Sequence, residues 1–400
     1  RQNVMPKPGE PSAVNKVVLF SVILGGAGLF FPFFIVKEHR LDVGQATVLL
    51  ETAPWVFVAT IGLLAGIAWI GLRADLFRFG DTVLIPATIL FAVLWLSVGL
   101  AAGAELASAG FDRGRVSPAT GFWMLLLSAF VLFTHGHASA RRRISRDGLI
   151  PVLVLVLVLL FVSGTLDDLA FVREYYTRES RFVSELLAHM GLAGAAVAAA
   201  VLFGIPLGIL AYRSKRMEKP VFALVSGLQT IPSLALFGLM IAPLAILSQR
   251  YPVLRAIGIR GVGNTPALLA LFLYALLPVV RNTFTSLRVM DPAVIHAGTG
   301  MGMTRRQLLW RVEVPIALPI ILSGIQVSAV QTIGNTTVAA LIGAGGLGNF
   351  VFQGLGQAAP DLIVMGVIPI VFLAVIADRV FQFLADHAVP GPQRRRVAYD

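Results

Sequence analysis

Polar side chains fall inside stretches otherwise apolar enough to lie in a membrane, among them Gln229, Thr230, Ser233, Asn282, Gln331, Asn335 and Thr336. These are neutral dipoles. At membrane depth such groups bond helices to one another, or they line a path for a solute. Gln331 and Asn335 are four apart and share a helical face, and Thr332 or Thr336 extends that stripe. Gln229-Thr230-Ile231-Pro232-Ser233-Leu234-Ala235-Leu236 also suits a proline-kinked helix whose freed carbonyls are met by Gln229, Thr230 and Ser233. The ionisable residues Glu51, Asp378 and Arg379 lie near the ends of apolar stretches, from which they reach the interface.

Catalytic chemistry finds no support. There is no His-Glu-x-x-His, no Gly-x-Ser-x-Gly and no nucleotide-binding loop. His135-Gly136-His137 has the spacing of a metal pair, but four arginines follow it and no carboxylate joins it. It reads as a pair of loop histidines, and no metal site is expected. Without cysteine the chain has neither thiolate chemistry nor a disulfide framework.

The most patterned polar stretch is 290–315, between two apolar segments. Its chemistry predicts two short helices and a turn. Asp291 caps the first, with Pro292 at the first helical position. Gly298, Gly300 and Gly302 break that helix. Thr304 with Gln307 forms a capping box that starts the second, and Pro315 ends it.

What positions these residues is a lipid-embedded chain. Only 13% of 400 residues are charged and the mean hydropathy is +0.83, where a soluble protein has roughly a quarter charged. Apolar runs long enough to cross a bilayer are expected at about 17–36, 50–72, 83–104, 120–135, 149–165, 187–212, 219–247, 266–288, 316–342 and 362–386. Pro232 and Pro243 are candidates to kink or split the seventh. The net charge of +11 does not point to nucleic acid, because Lys and Arg occur as short clusters between spans. With the N-terminus inside, basic residues in the inner segments outnumber those in the outer ones by two to one. Both termini and the 290–315 loop are then cytoplasmic, although Arg250, Arg255 and Arg260 lie outside and oppose the scheme. Residues 1–148 read as an accessory transmembrane region closed by Arg141, Arg142, Arg143 and Arg146. Residues 149–186 read as a span and an outer linker, 187–388 as the working core, and 389–400 as a basic cytoplasmic tail.

The 290–315 pattern resembles the coupling loop of ABC-importer permeases: Glu-Ala-Ala, three residues, Gly, nine residues, Ile-x-Leu-Pro. The matching positions read His296-Ala297-Gly298, Gly302 and Val312-Glu313-Val314-Pro315, with Ala297, Gly302 and Pro315 retained. The departures are His for Glu, Gly for the second Ala, and Val for both Ile and Leu. Residues 229–236 and Leu276-Leu277-Pro278-Val279-Val280-Arg281-Asn282-Thr283 resemble the osmoprotectant branch. Ile342-Gly343-Ala344-Gly345-Gly346-Leu347-Gly348 is shared more widely, methionine importers included. The resemblance covers about 187–386, and the N-terminal extension looks like that of the longer permease subunit of Yeh-type glycine-betaine importers.

The resemblance implies an all-α membrane protein of about ten transmembrane helices with a type I permease core. It implies passage of glycine betaine, choline or a similar solute handed over by a binding protein outside the inner membrane. It implies a second permease subunit, identical or shorter, and separate ATPase subunits that carry the ATP and Mg, this chain binding no cofactor. His296, Ala297, Gly298, Gly302 and Pro315 are then the coupling residues. The rival is an ion-coupled secondary transporter, which should show paired carboxylates or broken helices in repeated halves.

Overall fold

The structure, a computed structural model, describes residues 15–38, 42–72, 79–109, 114–139 and 143–388. The N-terminal Arg1 and Lys7, the side chains of the arginines between 141 and 146, and the 389–400 tail lie outside the described residues. The chain divides between Thr177 and Arg178, inside the stretch read above as a linker.

The first unit holds α1 (Lys16–Gly28), α2 (Leu49–Thr52), α3 (Pro54–Leu72), α4 (Phe79–Ala109), α5 (Thr120–Ser139), α6 (Arg143–Val162) and α7 (Ala170–Thr177). It also holds three strands that were not foreseen, β1 (Phe34–Lys37), β2 (Gln45–Thr47) and β3 (Arg115–Pro118). They form an antiparallel sheet in the order β2-β1-β3, with Phe34 opposite both Thr47 and Pro118. The first expected span is thereby shortened. Pro32 cannot extend a helix, and the end of 17–36 becomes β1. The 13 residues of α1 reach about 20 Å, against about 30 Å of bilayer hydrocarbon.

The core of this unit is aromatic. Phe33, Phe34, Trp95 and Phe122 are buried and meet edge to face at 4.7 to 5.7 Å, the geometry that ring quadrupoles favour. Arg115 of β3 reaches the buried Glu174 of α7 at 2.6 Å. His135 and His137 lie in the last turns of α5 rather than in a loop, and His135 bonds to the amide of Asn15, the cap of α1, at 2.9 Å.

The second unit holds α8 (Glu179–Arg213), α9 (Lys215–Thr230), α10 (Ser233–Arg250), α11 (Pro252–Ala256), α12 (Asn264–Arg288), α13 (Pro292–Gly300), α14 (Arg305–Leu308), α15 (Val314–Ala339), α16 (Gly348–Gly356) and α17 (Pro360–Ala388). Helix α8 buries Ala196, Ala200, Gly204 and Gly208, one small residue every four. This row lets its backbone approach α12 closely. A β-carbon at Gly208 would lie 2.7 Å from that of Thr283, and one at Gly204 would lie 3.0 Å from Val279.

Among the described residues, eight helices are long and apolar enough to cross a membrane, and the shorter apolar helices Lys16–Gly28 and Leu149–Val162 fall on the two remaining expected spans. The seventh expected span is split between α9 and α10 at Ile231 and Pro232, while Pro243 stays inside α10.

Candidate functional site: a capped loop and a polar helix face

The loop forms as its local chemistry dictates. Asp291 Oδ1 accepts the Ala293 N–H at 2.8 Å and starts α13 behind Pro292. Gln307 Oε1 accepts the Thr304 N–H at 2.8 Å while Thr304 Oγ1 accepts the Gln307 N–H at 3.3 Å, a reciprocal box that starts α14. The three glycines differ in role. Gly302 alone among them is left-handed, at φ +78°, and makes the turn. Gly298 stays helical and buried, and a β-carbon there would meet Leu308 Cδ1 at 2.5 Å. Gly300 is the last residue of α13. His296, Ala297 and Met301 are exposed on the surface of the turn, and Trp310 is exposed beyond it.

Pro315 does not end the second helix. A π-turn, Leu309–Glu313, joins α14 to α15, and the helix continues past the proline to Ala339. A proline clashes with the carbonyl four residues before it in a regular helix, and the wider turn admits one more residue at that point. The last residue of the π-turn, Glu313, is buried and accepts from Arg213 Nη2 of α8 at 2.7 Å. Nothing in the residue-by-residue reading assigned Glu313 a role. Its signal is a carboxylate among valines in a chain that keeps charge out of apolar stretches.

At the break between α9 and α10, Gln229 Nε2 donates to the Tyr274 carbonyl at 3.0 Å, and Thr230 Oγ1 donates to its own helix at Gly227. The carbonyl of Ile231 is met by the hydroxyl of Tyr274, not by Gln229, Thr230 or Ser233. Ser233 is half-buried at the start of α10. Asn282 bonds to the Pro278 carbonyl of its own helix at 2.9 Å and lies against Gly324 of α15.

The expected stripe on α15 separates into two faces. Gln331 is exposed and Asn335 half-buried. Thr336 belongs elsewhere: it is fully buried and donates to the Thr332 carbonyl at 2.7 Å. Thr332 donates to Ser328, and Ser328 Oγ donates to the Ala275 carbonyl of α12 at 3.0 Å. Ser328 therefore bonds α15 to α12, while Thr332 and Thr336 are satisfied by carbonyls of α15 itself. Asp378 of α17 accepts from Gln326 Nε2 of α15 at 2.6 Å and is thus satisfied within the unit.

The glycine-rich segment after α15 is an ordered turn with Gly343, Gly345 and Gly346 all left-handed. Glu185 of α8 holds it, its carboxylate accepting the Gly346 N–H and the Asn349 Nδ2–H at 2.7 Å each. Among the described residues no group of three or more His, Asp or Glu side chains is placed to hold a metal.

Packed apolar helices with a capped helix–turn–helix between two of them define a multi-pass membrane protein. Residues 200–390 match the family described as binding-protein-dependent transport system inner membrane component, and 14–172 match the N-terminal domain of the ABC transporter permease YehY. The carnitine transport permease protein OpuCB of Listeria monocytogenes is 43% identical over 190 residues, 48% of this chain and 80% of the relative. The osmoprotectant import permease protein OsmW of Salmonella typhimurium is 43% identical, covering 48% and 83%. The choline transport system permease protein OpuBB of Bacillus subtilis is 35% identical over 207 residues, covering 52% and 88%. An inward-facing structure of the MetNI methionine ABC transporter aligns with 53% of this chain and 98% of its own, at 20% identity and a TM-score of 0.47.

The chain belongs to the family of binding-protein-dependent transport system inner membrane components. It is a multi-pass inner-membrane permease subunit of an ABC importer and not an enzyme, ATP hydrolysis residing on a separate subunit. The family implies an ATPase, a substrate-binding protein and a permease partner.

Proposed function

We propose that this permease passes a small quaternary-ammonium osmoprotectant, glycine betaine or choline in type, and that 290–315 docks on the ATPase that drives it. The observation carrying the docking is the α13–turn–α14 unit, which exposes His296, Ala297 and Met301 around Gly302 while Gly298 and Leu308 pack beneath. The solute follows from the printed names of the relatives, carnitine, osmoprotectant and choline permeases. A weakly hydrated cation suits a path of neutral dipoles, which the exposed Gln331 and the half-buried Asn335 supply. In this reading both termini are cytoplasmic, the first unit is accessory, and ATP with Mg sits on the partner.

The test compares two substitutions at one position. Asn tolerates a left-handed backbone and Glu does not. A β-carbon at Gly302 meets nothing within 4 Å in this chain, so a side chain there meets only what docks on the loop. Gly302→Asn should keep uptake of radiolabelled choline or glycine betaine within about threefold of wild type. Gly302→Glu should reach the membrane in normal amount yet lose the ATPase and the uptake. Normal uptake in Gly302→Glu would end the docking reading.

A further inference from the structure

We infer that Arg213 and Glu313 are positioning residues for energy coupling, and that α8 carries the displacement of the cytoplasmic loop to the Gly343–Gly348 turn through Glu185. The inference rests on the proposed docking of 290–315.

Two joints are built into α8. At one end its last residue, Arg213, meets Glu313, whose side chain is 2% exposed. Glu313 closes the π-turn between loop helix and span, which is where a helix can change register. A buried carboxylate that loses its cation is strongly penalised, so the joint resists parting and moves as one piece. At the other end Glu185 grips the backbone N–H of Gly346 and the amide of Asn349. Three left-handed glycines give that turn its shape, so its backbone follows the carboxylate. Twenty-eight residues of helix separate the joints, about 42 Å at helical rise. Along the way Gly204 and Gly208 seat α8 against α12. The two joints therefore act in series.

Series action has a distinctive signature. The cysteine-free chain accepts a single reporter, Leu341→Cys, on an exposed residue beside Gly343. In the assembled importer in nanodiscs, the rate of labelling by N-ethylmaleimide is measured without nucleotide and after trapping with ATP and vanadate. The wild-type pair should give a shift of about tenfold, within the usual range of coupling between sites. Glu313→Gln and Glu185→Gln should each abolish the shift while the ATPase still copurifies. The exchange R213E/E313R should restore at least half of it, which a loss of fold would not allow.

Three results would overturn the inference: no shift in wild type, a normal shift in Glu313→Gln, or loss of the ATPase from Glu313→Gln without rescue by the exchange. Gly302→Glu separates the two readings. A normal shift in Gly302→Glu, with the shift still lost in Glu313→Gln, would reject the docking face and leave the joint standing.

Discussion

Gly298 lies so close to Leu308 that a β-carbon on it would come within 2.5 Å of Leu308 Cδ1. The two helices of the 290–315 loop are thus packed through a glycine. The obstacle is the far end of a flexible side chain, so one methyl displaces it cheaply. Gly298→Ala should leave loop stability within about 1 kcal/mol of wild type, because the helix propensity of Ala offsets the displacement. Gly298→Val adds bulk that Leu308 cannot yield to, and should cost about 2 kcal/mol. Proteolysis of the loop in membrane vesicles measures both, and equal cleavage rates in the two variants would contradict the packing.

The path hypothesis makes a periodic prediction on α15. In a cysteine scan from Ser328 to Ala339, a membrane-impermeant thiol reagent should label Gln331 and Asn335 and spare Ser328, Thr332 and Thr336. Trapping the importer with an ATP analogue should lower labelling on the reactive face. Uniform protection would leave these amides a packing role alone.

Tyr274 ties the break in the split span, its hydroxyl donating to the Ile231 carbonyl. Tyr274→Phe should cost about 1 kcal/mol in thermal stability, the net worth of one hydrogen bond. Uptake should fall more than stability does if the 229–236 segment lies on the path. An unchanged melting temperature would show that the hydroxyl is dispensable.

The contact boundary at Thr177 and Arg178 predicts where the chain can be cut. The relatives align over 190 to 207 residues, 80% to 88% of their own length, so the second unit matches most of such a permease. A chain beginning at Arg178 should insert and copurify with the ATPase. One that is folded and fails to bind would assign the first unit a part in that contact.

How much was legible follows from the range of the interactions. The caps at Asp291 and Thr304 were readable because donor and acceptor lie two or three residues apart. The passage of the helix beyond Pro315 was not, because the π-turn ends on a carboxylate held by Arg213, a hundred residues earlier. Thr336 was misplaced for a simpler reason. Five residues from Gln331 amount to about 140° around the helix, a different face, whereas Asn335 is only about 40° away. The three strands escaped notice because segments of three or four residues carry too little alternation to register.

The central claim, ATP-driven import of a quaternary-ammonium solute through this permease, is tested most directly by uptake of radiolabelled choline and glycine betaine into proteoliposomes. These carry the assembled importer, with ATP inside and binding protein outside. Accumulation of at least one of the two should require ATP and Mg and persist when a protonophore and a sodium ionophore collapse all ion gradients. Uptake that proceeds without ATP and disappears with the ionophores would contradict the account and favour an ion-coupled transporter.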